Sequence, residues 1–203
     1  MGIWDWFKRT PATEDTPAAP SGTVAPVATA TAEPREDWRA TSDYMSPDEA
    51  KALIVPDAAG LVPVRLVPRR GELVFMVDGH DRIVSHTHPS LTKYGIFAGT
   101  VRGTNYHKAA ARSGDFAPGS PVDLRREPDN EHDPNAVAVS AQGDSRIIGY
   151  INKGKAARLA KKMDAGTVFS AVAIAGERKG QSGGKIAVVA AEPEVLAHLL
   201  RRR

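Results

Sequence analysis

The most chemically distinctive stretch of this sequence is the polar run LRREPDNEHDPNAVAV, residues 124–139. Two prolines bracket Asp and Asn side chains, which readily bond nearby backbone amides. We therefore expect a stiff polar loop between two strands, whose carboxylates and amides could meet the hydroxyl groups or bases of a ligand. A purely structural turn, in which Asp133 and Asn135 satisfy backbone donors, is the alternative.

The same run offers ligands for a metal ion. Glu127, Asp129, His132 and Asp133 could build a nuclease-type Mg²⁺ site, so a metal-dependent nuclease or a hydrolase-associated domain stays an alternative function. A calcium loop does not fit, because Pro134 stands where the sharp turn of such a loop requires glycine.

A glycine-rich segment, GQSGGK at residues 180–185, resembles a phosphate-binding loop. The first glycine of that motif is missing, because its position is Lys179. Ile186 stands where the motif requires a hydroxyl for Mg²⁺. The segment is better interpreted as a hairpin loop with a basic finger made by Arg178 and Lys179. The pair His86 and His88 lacks an evident third ligand, so a surface loop is the preferred interpretation there.

Composition limits the classes of function. The 203 residues contain no cysteine, which excludes a disulfide framework, a thiolate zinc site and a cysteine nucleophile. Residues 1–90 carry nine Lys and Arg against 13 Asp and Glu, whereas residues 91–203 carry 18 against 11. A basic second half suits the binding of a polyanion, and a solvated basic face is the alternative.

The sequence divides into four segments by composition. Residues 1–45 form a Pro/Ala/Thr-rich tail that we expect to be disordered, and its first nine residues, MGIWDWFKR, could dock on a protein partner or a membrane surface. No signal peptide or membrane span is recognisable, so a cytoplasmic location is expected. An accessory helix and β-hairpin (46–94), a central domain (95–190) and a basic C-terminal helix (191–203) follow.

Several short strand patterns with turn signals fill the second half. PVDLRRE and AVAVSAQGDSRIIGYI predict three neighbouring strands, and Asn152 is a good cap for a helix that ends before Gly166. That helix should bury Ala156, Leu159 and Ala160 and expose its lysines. The mixture predicts a mostly β, α+β fold: a small, partly open β-barrel with one or two flanking helices.

The polar run, together with IGYINK (148–153), AARLA (156–160) and DAG (164–166), resembles the HIRAN domain family over about residues 95–190. The resemblance implies an oligonucleotide-binding-like barrel that holds single-stranded DNA, including its 3′ end, in a replication or repair context. It implies a binding module without catalysis, cofactor, metal or small-molecule substrate. A protein-interaction adaptor tethered by the N-terminal peptide remains an alternative.

The resemblance also assigns roles to residues. Asp129, Asn130 and Asp133 fall on the loop positions that accept the 3′-hydroxyl, Tyr106 on the base-stacking aromatic and Lys153 on a phosphate contact. Two positions depart from the family pattern, because His132 replaces a tyrosine and Asn105 replaces an arginine. The complete expected interface is Asn105, Tyr106, Asp129, Asn130, His132, Asp133, Tyr150, Lys153, Lys155 and Arg158.

Overall fold

The computed structural model describes residues 43–181 and 185–202. The expected disordered tail, including the peptide 1–9, lies outside the described residues except for its last three positions. Within these described residues there are nine strands: β1 Val64–Arg69, β2 Glu72–Val77, β3 Ile83–Val84, β4 Phe97–Thr100, β5 Pro121–Glu127, β6 Ala136–Ala141, β7 Ile147–Tyr150, β8 Ser170–Ala175 and β9 Ala187–Ala191. The helices are α1 Pro47–Leu53, α2 Pro89–Lys93, α3 Lys108–Ser113, α4 Lys153–Asp164 and α5 Pro193–Leu199, with a 3₁₀ helix at Thr104–Tyr106.

Six of the strands form one antiparallel sheet in the order β4-β9-β8-β5-β6-β7. The two outer strands of this order meet where Arg102, just beyond β4, pairs with Tyr150 at the end of β7. The sheet therefore curls round and closes on itself through a single bridge. This confirms the expected mostly β fold with a partly open barrel.

The interior of the barrel is apolar, and buried residues of α3 and α4 pack into it. Strands β8 and β9 contribute alternate residues to this core, and the amphipathic face of α4 contributes Ala156, Leu159 and Ala160. Phe116 and Ala110 of the α3 region join the same core, and Phe97 meets Phe169 edge to face at 5.7 Å. The predicted buried face of α4 is confirmed.

The outer face of β4, β8 and β9 is also buried, because the segment 43–93 packs on it. Val172, Ile174 and Val189 point to this side and share a second core with the β1–β2 hairpin, α1 and α5. Burial on both faces explains why the strand sequences SAVAIA and AVVAA are continuously apolar rather than alternating.

Several helix boundaries follow from the predicted caps. Ser46 and Glu49 form a reciprocal capping box at the start of α1, and the Asn152 side chain accepts from the Gly154 amide at the start of α4. After α4, the amides of Gly166 and Thr167 bond the carbonyls of Met163 and Lys162, with Gly166 at φ +87°. The left-handed glycine thus ends the helix where the sequence predicts.

The C-terminal helix is shorter than expected, since α5 ends at Leu199 before the arginines. Arg201 then folds back on the hairpin, where it donates to the Val64 carbonyl at 2.9 Å and pairs with Asp78. His198 bonds the Val62 carbonyl at 2.8 Å. This end of the chain therefore fastens the accessory hairpin instead of presenting all its charges to solvent.

Candidate nucleic-acid interface

The closure of the barrel fixes the geometry of the candidate site. Arg102 and Tyr150 exchange two backbone hydrogen bonds of 2.8 Å each. Gly149 permits this close approach: it has φ +154°, and a Cβ atom there would lie 2.3 Å from the Arg102 carbonyl oxygen. Residues 103–106 consequently run alongside β7, toward its first residue, Ile147.

Beside the closure, the carboxylate of Glu127 joins three side chains. It accepts from the Tyr150 hydroxyl at 3.1 Å, from the Asn130 amide at 3.1 Å and from Arg125 at 3.0 Å. Burial alone would raise the pKa of Glu127, but the hydrogen bonds from Arg125, Asn130 and Tyr150 together lower it. The ionised Glu127 therefore ties the polar loop to the end of β7.

The polar loop is folded largely by its own side chains. The side-chain oxygen Oδ1 of Asn130 accepts from the backbone amides of His132 at 3.0 Å and Asp133 at 3.2 Å. Asp133 in turn accepts from the Asn135 amide at 2.9 Å through Oδ1. Asn130 and one oxygen of Asp133 thus stabilise the turn by bonding its backbone amides. This is the structural alternative that the sequence analysis gave for this run.

Other side chains of the loop face solvent. Asp129, Glu131 and His132 are exposed, and within residues 43–181 and 185–202 no hydrogen bond or ion pair engages their side chains. Oδ2 of Asp133 is also unengaged by that part of the chain. The loop therefore presents carboxylate oxygens that can accept from a ligand hydroxyl and that repel a phosphate.

Tyr106 projects its ring into solvent from the 3₁₀ helix. The turn begins at Gly103, which is left-handed at φ +85°, and the Tyr106 amide bonds the Gly103 carbonyl at 2.9 Å. The residue is 90% exposed, and it lines an open depression with His107, Arg146 and Ile147. An exposed aromatic face on a hydrogen-bonded turn is therefore available for stacking.

The expected phosphate-binding residues behave differently from one another. Lys153 is the first residue of α4 and is exposed, as is Arg158 one and a half turns later. Lys155, by contrast, points inward: its ammonium group donates to the backbone carbonyls of His86, at 3.2 Å, and Ala98. Burial lowers the pKa of Lys155. It joins the accessory segment to the barrel, so the expectation that it lies on the exposed face of α4 is wrong.

The ten expected residues do not converge on one point. The polar loop, Tyr150 and Lys153 lie at the end of β7, whereas Tyr106 and the exposed Asn105 lie beside its beginning. The four residues of β7 cover roughly 10 Å at the usual rise of a strand. The candidate interface is therefore a track along β7 with an acidic loop at one end and an aromatic ring at the other.

Sequence reasoning missed Arg102, Arg125 and Arg146 in this region, and it considered Glu127 only as a possible metal ligand. Arg102 is exposed at the closure, Arg125 and Glu127 organise the loop, and Arg146 borders the Tyr106 depression while bonding Asp144. Hydrogen bonds from Arg146 lower the pKa of Asp144 to about 2. The alternation of strand β5 could have placed Arg125 and Glu127 on one face, but the closure itself had no sequence signal.

Two further features bear on the alternatives. Within residues 43–181 and 185–202, no three His, Asp or Glu side chains are grouped so that they could hold a metal ion. No helix in the described part of the chain combines the length and the apolar content that crossing a membrane requires.

Residues 94–187 match the family model described as "HIRAN domain". This segment contains all ten expected interface residues and the whole barrel except most of β9. A search of curated proteins finds no significant match.

Three solved structures are similar to about half of this chain. The crystal structure of the HIRAN domain of human HLTF is 22% identical, with 52% of this chain and 83% of that chain covered and a TM-score of 0.38. A protein from Lactobacillus plantarum is 24% identical over 46% of this chain and 91% of that chain, with a TM-score of 0.37. The NMR structure of the HLTF HIRAN domain is 23% identical, covers 52% and 82%, and has a TM-score of 0.34.

Proposed function

Because residues 94–187 are a HIRAN domain, we propose that this chain is a non-catalytic module that binds nucleic acid, with single-stranded DNA as the ligand and its 3′ end held by the polar loop. The strand would follow β7 from the loop to Tyr106. A context in replication or repair, in partnership with a separate enzyme, belongs to the same proposal.

The observation that carries the proposal is the exposure of Tyr106. A tyrosine ring that is 90% exposed, on a turn anchored at the barrel closure, has no packing role in the described part of the fold. Stacking of a base on such a ring stabilises a complex by about 1–3 kcal/mol and requires no particular base, because every base has a π-face.

Cations beside the track support a polyanionic ligand. Arg102 lies at the closure, Lys153 follows β7 and Arg158 lies on the exposed face of α4. No carboxylate within residues 43–181 and 185–202 pairs with any of these three side chains. They are therefore available to phosphates, and binding should weaken steeply as salt is added.

The acidic loop favours a strand end over a continuous strand. The carboxylate oxygens of Asp129 and Asp133 can accept a hydrogen bond from a terminal 3′-hydroxyl, but they repel a phosphate at the same place. Because Asn130 is engaged by its own loop, its role in this proposal is to shape the pocket. His132 is exposed next to these carboxylates and supplies a ring for the terminal nucleotide.

Fluorescence anisotropy with labelled oligonucleotides tests the proposal. The full chain should bind a single strand with a free 3′-hydroxyl about tenfold more tightly than the same strand with a 3′-phosphate, since one charged hydrogen bond is replaced by repulsion. The affinity for a blunt duplex shows whether the chain prefers single strands. The affinity for an RNA strand of the same sequence shows whether it prefers DNA. Equal affinity for both 3′ ends would overturn end binding, and no binding of any strand would overturn the function.

A further inference from the structure

A second basic surface lies beyond Tyr106, around helix α3. Its cations come from two segments that are far apart in sequence: α3 and the start of the β8–β9 connection. The Gly180 amide bonds the Arg112 carbonyl at 2.9 Å, and the Phe116 amide bonds the Glu177 carbonyl at 2.9 Å. These bonds hold the connection against α3. We call the resulting group the α3 patch: Lys108, Arg112, Arg178 and Lys179.

The side chains of the α3 patch are free to bind a ligand. All four are exposed, and within residues 43–181 and 185–202 none of them forms an ion pair or a side-chain hydrogen bond. A positive surface that is not neutralised by its own fold is suited to phosphates.

The acids around the α3 patch do not cancel its charge. Asp144 is bonded by Arg146, and the Asp115 carboxylate accepts from the Ala117 amide at 3.1 Å. Lys179 lies close enough to Asp144 to contribute to the lowering of its pKa. Together with Glu177, these acids border the patch, and the four patch cations and Arg146 outnumber them.

The α3 patch continues the track along β7. Helix α3 starts two residues after Tyr106, and its six residues advance about 9 Å at the usual helical rise. Arg146 lies between the two regions, because it lines the Tyr106 depression on one side and binds Asp144 near Lys179 on the other. A nucleic-acid strand that extends from the Tyr106 ring toward α3 therefore lies next to the cations of the α3 patch.

We propose that the α3 patch binds the phosphates of the nucleic-acid strand beyond the base that stacks on Tyr106. A strand anchored by its 3′ end in the polar loop then runs along β7 and continues, toward its 5′ side, over α3 to Arg178 and Lys179. The inference depends on the proposed function. It adds the direction in which the bound strand runs and the number of nucleotides that the protein contacts, so that short and long strands are bound by different sets of residues.

The test compares two pairs of charge reversals in the full chain. Arg112→Glu with Lys179→Glu removes two cations of the patch, and Lys51→Glu with Arg202→Glu removes two exposed cations elsewhere, with the same change of net charge. Each variant is titrated against single strands of about four and about 12 nucleotides, within the range of site sizes known for this kind of barrel. At a salt concentration near 0.15 M, electrostatic interactions between exposed charges are largely screened beyond about 8 Å, so the charge reversals act mainly on nearby phosphates.

The patch variant should bind the long strand about tenfold more weakly than the wild type, and its salt dependence should fall by about 1.4 in slope for two lost phosphate contacts. Its affinity for the short strand should stay within about twofold, which also shows that the variant is folded. The inference is overturned if the long strand binds the patch variant as well as it binds the control pair. Failure of the wild type to bind either strand would instead overturn the proposed function.

Discussion

Arg102 and Tyr150 exchange both of their backbone hydrogen bonds, and this one pair closes the six-stranded sheet into a barrel. The Tyr150 hydroxyl also donates to Glu127, which holds Asn130 of the polar loop. The closure, the loop and the turn that carries Tyr106 are therefore mechanically connected. A change at the closure should disturb the binding track as well as the fold.

Gly149→Ala tests the closure. The new methyl group would meet the Arg102 carbonyl at 2.3 Å and a Val101 methyl at 2.8 Å, so one backbone must move away. We expect the free energy of unfolding to fall by about 2–4 kcal/mol, as for other strained or overpacked sites. Urea unfolding followed by circular dichroism measures this. Gly99→Ala is the control, because nothing lies within 4 Å of its Cβ position; an equal loss there would contradict the account.

Glu127→Gln tests the connection between loop and strand. At neutral pH the free energy of unfolding of the variant should be about 1 kcal/mol lower than that of the wild type, because the ionised acceptor of three hydrogen bonds is lost. The pKa of Glu127 is lowered in the fold, so its stabilising effect is complete above the unfolded value of 4.5 and is lost as pH falls through the folded value.

The difference between wild type and Glu127→Gln should therefore shrink as the pH is lowered below 4.5. Unfolding curves at several pH values follow it directly. Glu131→Gln changes an exposed carboxyl of the same loop that forms no bond in the described part of the chain, and it should leave stability unchanged. A pH-independent difference for Glu127→Gln would show that the hydrogen bonds of the carboxylate are not responsible.

Lys153→Met and Lys155→Met form a matched pair on one helix. Loss of the Lys155 ammonium leaves the carbonyls of His86 and Ala98 without their donor, so stability should fall by about 1–3 kcal/mol while affinity for nucleic acid stays within about twofold. Loss of Lys153 should do the reverse, with unchanged stability and weaker binding. Thermal unfolding and anisotropy on both variants decide this, and a large binding defect in folded Lys155→Met would contradict the assignment.

Much of the local structure was predictable from the sequence. Strand β5 coincides with the predicted PVDLRRE, and the caps of α1 and α4 are those expected from Ser46 and Asn152. These signals are local, because a cap or a strand pattern is determined by a few neighbouring residues. The mostly β barrel followed from the number and spacing of such strands.

The remaining features depend on contacts between distant residues. His88, expected in a surface loop, is buried as the cap of α2, where its ring bonds the Pro47 carbonyl at 3.0 Å. The direction of Lys155 is set by carbonyls 57 and 69 residues away. Neither the closure by Arg102 and Tyr150 nor the position of Tyr106 at the far end of β7 from the polar loop has a signature in local sequence.

The most direct test of nucleic-acid binding along β7 is the affinity of Tyr106 variants for a labelled single strand with a free 3′-hydroxyl. If the exposed ring stacks on a base, Tyr106→Ala should weaken binding by about 1–3 kcal/mol, while Tyr106→Phe should bind within about twofold of the wild type. Both variants should unfold like the wild type, since the side chain is exposed. Wild-type affinity in a folded Tyr106→Ala would contradict the account.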